Sequence, residues 1–299
     1  MNLLIIGSIA LDSVENPFGK VEEVLGGSAV YASIAASCFS KNISIVGVIG
    51  NDFPNEYLEL LKTKNIDIKG VKIANGKTFR WKGKYENLNE AITLQTSLNV
   101  FANFSPKIPE KQKLSKYILL GNIDPDLQIS VIDQLKKPKI IAADTMNFWI
   151  KSKNKSLKKL LKMIDILFIN EDEIRMLTDS ASIFDAAEKT FKIGPKIIVI
   201  KRGEYGSITI AKNFLFFVPV FPLKNAIDTT GAGDSFAGGF MGFLTSEKKL
   251  DEQTLKKAAL YGTITASFDI ESFSLDSLKK MDKEKIETRV NLLKKYTQF

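Results

Sequence analysis

Short apolar segments recur along the chain, and each leads into a polar or glycine-rich stretch. Continuous apolar runs rich in Ile and Val are typical of strands buried on both faces of a sheet. Segments with helical length and pattern lie between them, such as residues 127–137 and 185–191. This alternation predicts a mostly parallel sheet covered by helices. The predicted strands are residues 3–6, 43–49, 117–120, 139–143, 165–169 and 196–200.

The polar segments that follow four of these strands predict where a ligand binds. They are GNIDP (121–125), DTMN (144–147), NEDE (170–173) and KRGEYG (201–206). In open α/β sheets ligands bind beyond the carboxyl ends of the strands. These four segments are therefore expected to line one site.

Residues 79–85 have a different pattern, with aromatic and cationic side chains alternating at a period of two. Together with residues 92–96 they are predicted to form a small antiparallel flap outside the main sheet. Two interpretations stay open for its aromatic face. It packs on the domain or on a partner subunit, or an aromatic ring such as Trp81 covers a substrate as a lid.

The stretch AIDTTGAGDSFAGGFMGFL (226–244) places Gly231-Ala232-Gly233-Asp234 directly before a helical pattern. Exposed N–H groups and the positive end of the helix dipole make a helix N-terminus a binding site for phosphate. Glycines let the backbone approach such a group, and Asp234 can accept a proton from an alcohol that attacks phosphorus. The structural alternative is that Asp234 only caps the helix.

Composition narrows the chemistry further. The 299 residues include no histidine, so acid–base work falls to other side chains, and the single cysteine excludes an internal disulfide. The net charge of +8 comes from lysines spread along the chain, which indicates a basic surface without a nucleic acid partner. No apolar run is long enough to span a bilayer, so no membrane partner and a cytoplasmic location are expected.

The segment 228–244 resembles the C-terminal signature of the PfkB/ribokinase family of sugar and nucleoside kinases, and residues 26–53 look like its N-terminal signature. The resemblance extends from Gly7 to about Phe273. It implies an α/β fold, a ribokinase-like three-layer sandwich with a mostly parallel central sheet and a small β lid. Residues 1–299 are expected to form a single kinase domain, with the lid at about residues 12–24 and 76–101.

The family signatures imply roles near the transferred phosphoryl group and the acceptor. Asp234 matches the catalytic base, and Asp12 matches an acidic residue that binds sugar hydroxyls. The anion hole is matched by Gly231, Ala232 and Gly233. The turn beside the sugar is matched by Gly26, Gly27 and Ser28. Many ribokinase-like members carry Lys at the last of these positions, so the acceptor contacts are expected to differ here.

On the donor side, Asn170 and Glu173 match the Asn-x-x-Glu motif near hydrated Mg²⁺ and the phosphates. The same pair also fits an ordinary capping box. Gly262 is expected on a helix that borders the adenine. The turn along the nucleotide is matched by Lys201, Gly203 and Gly206, for which a plain hairpin is the alternative.

Asp228 and Thr230 match positions that bind a monovalent cation in many family members. Residues 266–274 lie where the rest of that site is expected. They depart from the glycine-containing form at Ser274, so K⁺ is a candidate rather than an expected ligand.

The resemblance implies an ATP-dependent phosphotransferase that moves the γ-phosphoryl group of MgATP to a hydroxymethyl group of a sugar. A nucleoside kinase, adenosine-like, is the alternative, and a non-catalytic sugar or nucleotide sensor is the alternative from another class. No Walker-type phosphate loop occurs, and residues 7–10 lack the dinucleotide-binding glycine pattern, which argues against an oxidoreductase. A homodimer through the lid is expected from the family alone.

Overall fold

The computed structural model describes residues 2–86 and 91–298. Its strands, in chain order, are β1 (Leu3–Ile6), β2 (Ala10–Asn16), β3 (Gly19–Gly26), β4 (Ile43–Gly50), β5 (Ile66–Ala74), β6 (Phe79–Tyr85), β7 (Ala91–Ser97), β8 (Tyr117–Leu120), β9 (Ile140–Asp144), β10 (Ile166–Asn170), β11 (Ile197–Lys201), β12 (Ser207–Ala211) and β13 (Phe214–Val218). All six strands predicted from the apolar runs are confirmed within one residue at either end.

The helices lie between these strands and after the last of them. They are α1 (Ser28–Ser37), α2 (Asn55–Thr63), α3 (Pro125–Ile132), α4 (Asn147–Ser152), α5 (Asn154–Leu161), α6 (Glu171–Thr178), α7 (Ile183–Phe191), α8 (Ala232–Ser246), α9 (Glu252–Asp269) and α10 (Lys283–Tyr296). Short 3₁₀ turns occur at Asn99–Asn103, Gln112–Leu114, Gly203–Tyr205 and Leu278–Lys280.

The main sheet has the strand order β13-β12-β11-β10-β9-β8-β1-β4-β5. The pairs from β11 to β5 are parallel, and β12 and β13 add antiparallel strands at one edge. The predicted mostly parallel sheet is therefore confirmed. Its parallel strands end at the same edge, where the segments after β8, β9, β10 and β11 come together.

Successive side chains of the parallel strands enter two separate hydrophobic cores, one on each face of the sheet. Leu3 and Ile5 belong to the core that contains residues of α1, α8, α9 and α10. Leu4 and Ile6 belong to the core that contains residues of α3, α5, α6 and α7. Because a strand alternates its side chains between faces, apolar residues at every position require helices on both sides. The result is the expected three-layer sandwich.

A second sheet has the order β3-β2-β6-β7. β2 and β3 together begin two residues before and end two residues after the predicted segment 12–24. β6 and β7 lie inside the predicted segment 76–101. Residues 87–90 of that prediction lie outside the described residues. The flap is not purely antiparallel, because β2 and β6 run parallel. The chain between β2 and β6 passes through β4 and β5 of the main sheet rather than through a tight turn, so β2 and β6 can run in the same direction.

One predicted helical segment is shorter than its sequence pattern indicates, and a lysine-rich stretch is divided between two helices. The helix predicted at 127–137 spans Pro125–Ile132 and does not reach Lys137, which has a positive φ of 53° directly before Pro138. Proline cannot continue a helix and disfavours helical geometry in the residue before it. The lysine-rich stretch 151–162 is divided between α4 and α5 at Lys153, whose ammonium group binds Asp124 and Asp126.

Candidate active site

The N-terminus of α8 faces the carboxyl edge of the main sheet. The helix begins after Gly231, whose φ of 82° lies in the left-handed region that favours glycine. A Cβ atom at this position would also lie 2.5 Å from the ring of Tyr31, so no side chain fits. The first N–H groups of a helix have no acceptor within it, and here Gly233 and Asp234 present such groups. The local geometry suits an anion.

Asp234 is the third residue of α8 and not its N-cap, which is Gly231. The capping alternative therefore does not describe this carboxyl group. Burial, followed by the nearby Asp144 carboxylate, raises the pKa of Asp234 from 3.8 to about 7, although the Lys201 ammonium acts in the opposite direction. A pKa near neutrality is suited to a general base, because such a group both accepts and releases protons readily.

Lys201 and Asp144 form a buried ion pair beside this carboxyl group. The Nζ atom of Lys201 lies 2.7 Å from Oδ2 of Asp144, and the two side chains are 18% and 5% exposed. A Cβ atom at Gly233 would lie 2.9 Å from the same Nζ atom. The ammonium group therefore contacts the first turn of α8. Asp144 was not singled out from the sequence, although it follows a predicted strand within DTMN.

Asn170 and Glu173 form a complete capping box at the start of α6. The Asn170 side chain accepts from the Glu173 N–H at 2.8 Å, and Glu173 Oε2 accepts from the Asn170 N–H at 2.9 Å. Burial, partly offset by the charge of Lys201, raises the pKa of Glu173 to about 7. The capping alternative is thus real, and it also fixes Glu173 close to Lys201.

The segment from Lys201 to Gly206 connects the antiparallel strands β11 and β12. Lys201 ends β11, Gly203 begins the short 3₁₀ turn and Gly206 follows it, and the two glycines have positive φ values of 55° and 80°. The hairpin alternative therefore describes the backbone. The Arg202 guanidinium binds Glu171 at 2.5 Å, which ties this turn to the start of α6.

Asp12 lies at the other end of the site, on β2 of the second sheet. Its carboxyl group is 5% exposed and accepts a hydrogen bond from the Gly27 N–H. A Cβ atom at Gly26 would lie 1.9 Å from Asp12 Oδ2, so glycine is needed at this position for the carboxyl group to lie there. Burial first, and then the charge of Asp228, raises the pKa of Asp12 to about 7.

Ser28 is buried and paired with Ser8 rather than exposed toward a ligand. The Ser28 N–H donates to Ser8 Oγ at 3.0 Å, and the Ser8 N–H donates to Ser28 Oγ at 3.1 Å. A Cβ atom at Gly7 or at Gly121 would collide with the Ser28 hydroxyl. Ser28 therefore holds the start of α1 against the segments that follow β1 and β8.

Trp81 lies on the same face of the second sheet as Asp12, because the two residues are paired across β2 and β6. Its indole ring covers Gly83, where a Cβ atom would lie 2.1 Å from Trp81 Cη2. The indole N–H donates to Thr93 at 3.2 Å. Two positions beyond Gly83, on this same face, Tyr85 contacts the Thr230 hydroxyl at 3.0 Å.

Asp228 and Thr230 lie together on the loop before α8. The Asp228 carboxylate accepts from the Thr230 N–H at 3.0 Å and from the Ser274 N–H at 3.4 Å. Ser274 has a φ of 52°, in the left-handed region that favours glycine. Asp269, 1% exposed and not anticipated from the sequence, lies near Asp228, and burial raises its pKa well above the usual range.

Gly262 is buried between α8 and α9. A Cβ atom there would lie 3.0 Å from the Phe236 carbonyl oxygen and 3.2 Å from its ring. The close approach of the two helices accounts for this glycine. Its role beside an adenine stays a prediction.

Comparison with known proteins agrees with this arrangement of elements. The sequence model described as pfkB family carbohydrate kinase matches residues 3–280. The chain belongs to this family. Family membership makes it a kinase, a phosphotransferase with an alcohol group as acceptor.

Individual family members show the same similarity. A cytidine kinase from Thermococcus kodakarensis is 30% identical over 84% of this chain and 91% of its own length. The structure of the Methanocaldococcus jannaschii nucleoside kinase, described as an archaeal member of the ribokinase family, superposes with a TM-score of 0.79 at 20% identity. It covers 98% of this chain and 99% of that one. The structure of aminoimidazole riboside kinase from Salmonella enterica, complexed with aminoimidazole riboside and an ATP analogue, superposes with a TM-score of 0.77 at 14% identity. The match covers 97% of this chain and 100% of that one.

These structural similarities establish the ribokinase fold predicted from the sequence. Within residues 2–86 and 91–298, no helix is both long and apolar enough to cross a membrane.

Proposed function

We propose that this pfkB-family kinase transfers the γ-phosphoryl group of MgATP to a primary hydroxyl of a nucleoside, with Asp234 as the general base. The observation that carries the proposal is the Asp234 carboxyl group in the first turn of α8, beside a glycine-rich anion site and with a pKa of about 7. A sensor has no use for a base at this position, which disfavours the non-catalytic alternative.

The proposed reaction forms one bond at the γ-phosphorus and breaks another, and the chain supplies a base and hydrogen-bond donors. The acceptor hydroxyl oxygen bonds to the γ-phosphorus as the bond to the β,γ-bridging oxygen breaks, and ADP leaves with that electron pair. Asp234 takes the proton of the hydroxyl group. The N–H groups at Gly233 and Asp234 stabilise the charge on the phosphoryl oxygens, with Gly231 and Ala232 shaping the turn.

The donor residues fit a hydrated magnesium ion bound mainly by the nucleotide. No group of three or more Asp, Glu or Cys side chains within residues 2–86 and 91–298 is arranged to hold a metal directly. Glu173 and Asn170 supply oxygens at the edge of the site, which suits an ion that keeps its waters and binds phosphates. Bound there, Mg²⁺ would neutralise charge on the β- and γ-phosphates. Lys201, Gly203 and Gly206 are proposed to follow the nucleotide.

Two observations favour a nucleoside over a free sugar, the acceptor that the sequence favoured slightly. The relative with 30% identity is a cytidine kinase. In addition, Trp81 packs over Gly83 on the face that carries Asp12, which places an aromatic ring beside the residue proposed to bind the acceptor. We propose that Asp12 and the Gly26–Gly27 turn bind ribose hydroxyls while the base stacks on Trp81. Stacking a base on an aromatic ring contributes about 1–3 kcal/mol.

The second sheet is proposed to act as the lid of a single kinase domain. Two contacts between it and the loop before α8 support this role. Tyr85 meets Thr230, and the Asn16 side-chain amide donates to the Ile227 carbonyl at 2.7 Å. A monovalent cation, K⁺, at Asp228 and Thr230 and a homodimer through the lid are retained as proposals from the family resemblance.

ADP release from MgATP tests the proposal, with cytidine, uridine, adenosine, ribose, fructose and fructose 6-phosphate as acceptors, with and without K⁺. We expect turnover with a nucleoside and a 5′-phosphate product by mass spectrometry. Turnover with a sugar but with no nucleoside would demonstrate kinase activity and would show that the acceptor is a sugar. Binding of both ligands without turnover would favour the sensor, and failure to bind ATP would overturn the proposal.

A further inference from the structure

A lysine ammonium group lies where the transferred phosphoryl group is expected. Lys201 Nζ contacts the first turn of α8 at Gly233, and its charge acts on both Glu173 and Asp234. Within the described ranges, 2–86 and 91–298, the hydrogen bond to Asp144 is the one that this ammonium group makes. An ammonium group has three donors, so the remaining donors are available to a ligand.

Asp144 holds this lysine from a rigid position. Its Oδ1 atom accepts from the Thr145 N–H at 2.8 Å, and its backbone carbonyl accepts from Gln128 at 3.1 Å. It also ends β9, a strand within the parallel sheet. The carboxylate is therefore fixed, and the long Lys201 side chain is directed from β11 across the sheet edge toward α8.

We infer that Lys201 is a further catalytic residue, whose ammonium group binds the γ-phosphoryl oxygens, and that Asp144 is the positioning residue that directs it there. The inference rests on the proposed function, since it assumes that a phosphoryl group reaches the N-terminus of α8. Lys201 adds a full positive charge where the helix supplies only N–H dipoles. Its closeness to the general base means that the same cation also favours the ionised form of Asp234.

The pair acts on Asp234 with opposite signs. Lys201 lowers the pKa of Asp234, and Asp144 raises it. Removing the ammonium group should therefore move the acid limb of kcat/KM to higher pH, and removing the Asp144 charge should move it to lower pH. A merely structural role for the ion pair would not produce shifts in opposite directions.

Three variants test the inference: Lys201→Met, Lys201→Arg and Asp144→Asn. Calorimetry measures ATP and ADP affinity without any acceptor. Lys201→Met should weaken ATP binding about tenfold while ADP binding stays unchanged, and it should lower kcat about 100-fold. Lys201→Arg keeps the charge and should retain the preference for ATP over ADP and the wild-type acid limb. Asp144→Asn keeps Lys201 but weakens the ion pair that positions it, so it should lose part of the preference for ATP over ADP, and its acid limb should move to lower pH.

Lys196→Met is the matched control. Lys196 directly precedes β11 and pairs with Asp165 at 2.8 Å, but it is 77% exposed and lies at the opposite end of the strand. The Lys196→Met variant should leave the ATP and ADP affinities and the pH profile of kcat/KM unchanged. If Lys201→Met keeps the wild-type ATP preference, the inference is wrong whichever acceptor is used. Should Lys201→Met fail to fold, an Asp144→Asn variant that keeps both the wild-type preference for ATP over ADP and the wild-type acid limb overturns it. The calorimetric result stands even if no acceptor is turned over, so failure of the proposed function is distinguishable.

Discussion

The Tyr85 hydroxyl lies 3.0 Å from the Thr230 hydroxyl and joins the second sheet to the loop that leads into the anion site. The two residues are 145 positions apart in the chain. This hydrogen bond therefore couples the position of the proposed lid to the geometry around Asp228 and α8.

Replacing Tyr85 with Phe removes that hydrogen bond and keeps the ring. We expect kcat/KM for the acceptor to fall about fivefold, which corresponds to about 1 kcal/mol for one hydrogen bond. ATP affinity should not change, because the bond lies on the acceptor side. Steady-state kinetics with varied acceptor measures the effect. Tyr296→Phe, at a position 59% exposed on α10, is the control, and an equal loss in both variants would contradict the coupling.

Asp234→Asn removes the proposed base while preserving size and the start of α8. We expect kcat to fall about 1000-fold with ATP binding retained, since general base catalysis contributes about 10² to 10⁴. In the wild-type enzyme, kcat/KM should rise with pH through an apparent pKa of about 7, because only the ionised carboxylate accepts a proton. Rapid-quench kinetics between pH 5 and 9 measures both effects.

Asp185→Asn provides the matched control, because it makes the same substitution on the exposed surface of α7. It should behave as wild type. An Asp234→Asn enzyme within threefold of the wild-type kcat would show that another group takes the proton.

The architecture could be predicted from sequence because it depends on local patterns. Six of the seven parallel strands follow the apolar runs, and the glycine cluster marks the start of α8 directly. The seventh, β5 (Ile66–Ala74), contains Asp67 and two lysines, and its sequence did not predict a strand. The contacts between residues of the candidate site could not be predicted in this way. Asp144 and Lys201 are 57 residues apart, and only the order of strands in the sheet brings them together. The helical pattern at 127–137 continues almost to Pro138, whereas α3 ends at Ile132, a boundary that periodicity alone does not define.

Asp12 makes stability depend on pH in a direction that can be tested. Its pKa is about 7 in the folded protein and 3.8 without the protein environment. The folded state therefore binds more protons between these values, and the free energy of unfolding should fall as pH rises from about 4 to about 7. One such group contributes at most about 1.4 kcal/mol per pH unit. Asp234 and Glu173, with pKa values also near 7, act in the same direction.

Urea unfolding of Asp12→Asn at pH 5, 6, 7 and 8 measures this contribution. The asparagine keeps an acceptor for the Gly27 N–H but does not titrate, so the variant should lose less stability than wild type across this range. Asp185→Asn should keep the wild-type slope. A wild-type protein whose stability rises with pH over this interval would contradict the raised pKa of Asp12.

Gly83 is expected to control nucleoside binding through Trp81. A Cβ atom at Gly83 would lie 2.1 Å from Trp81 Cη2, so Gly83→Ala must displace the indole ring from the sheet. We expect the KM for the nucleoside to rise about tenfold, near the lower end of a base-stacking contribution, with the KM for ATP unchanged. Lys82→Ala, on the opposite face of β6, should have no such effect.

Fluorescence gives a readout that does not depend on turnover. The chain has two tryptophans, so a Trp149→Phe background leaves Trp81 as the only one. Cytidine should quench this fluorescence, because a stacked base contacts the indole face, and Gly83→Ala should shift the quenching curve to higher cytidine concentration. Ribose should quench little, since it has no planar ring to stack. Equal quenching by ribose and cytidine would indicate that Trp81 covers the sugar, and the acceptor assignment would then return to a carbohydrate.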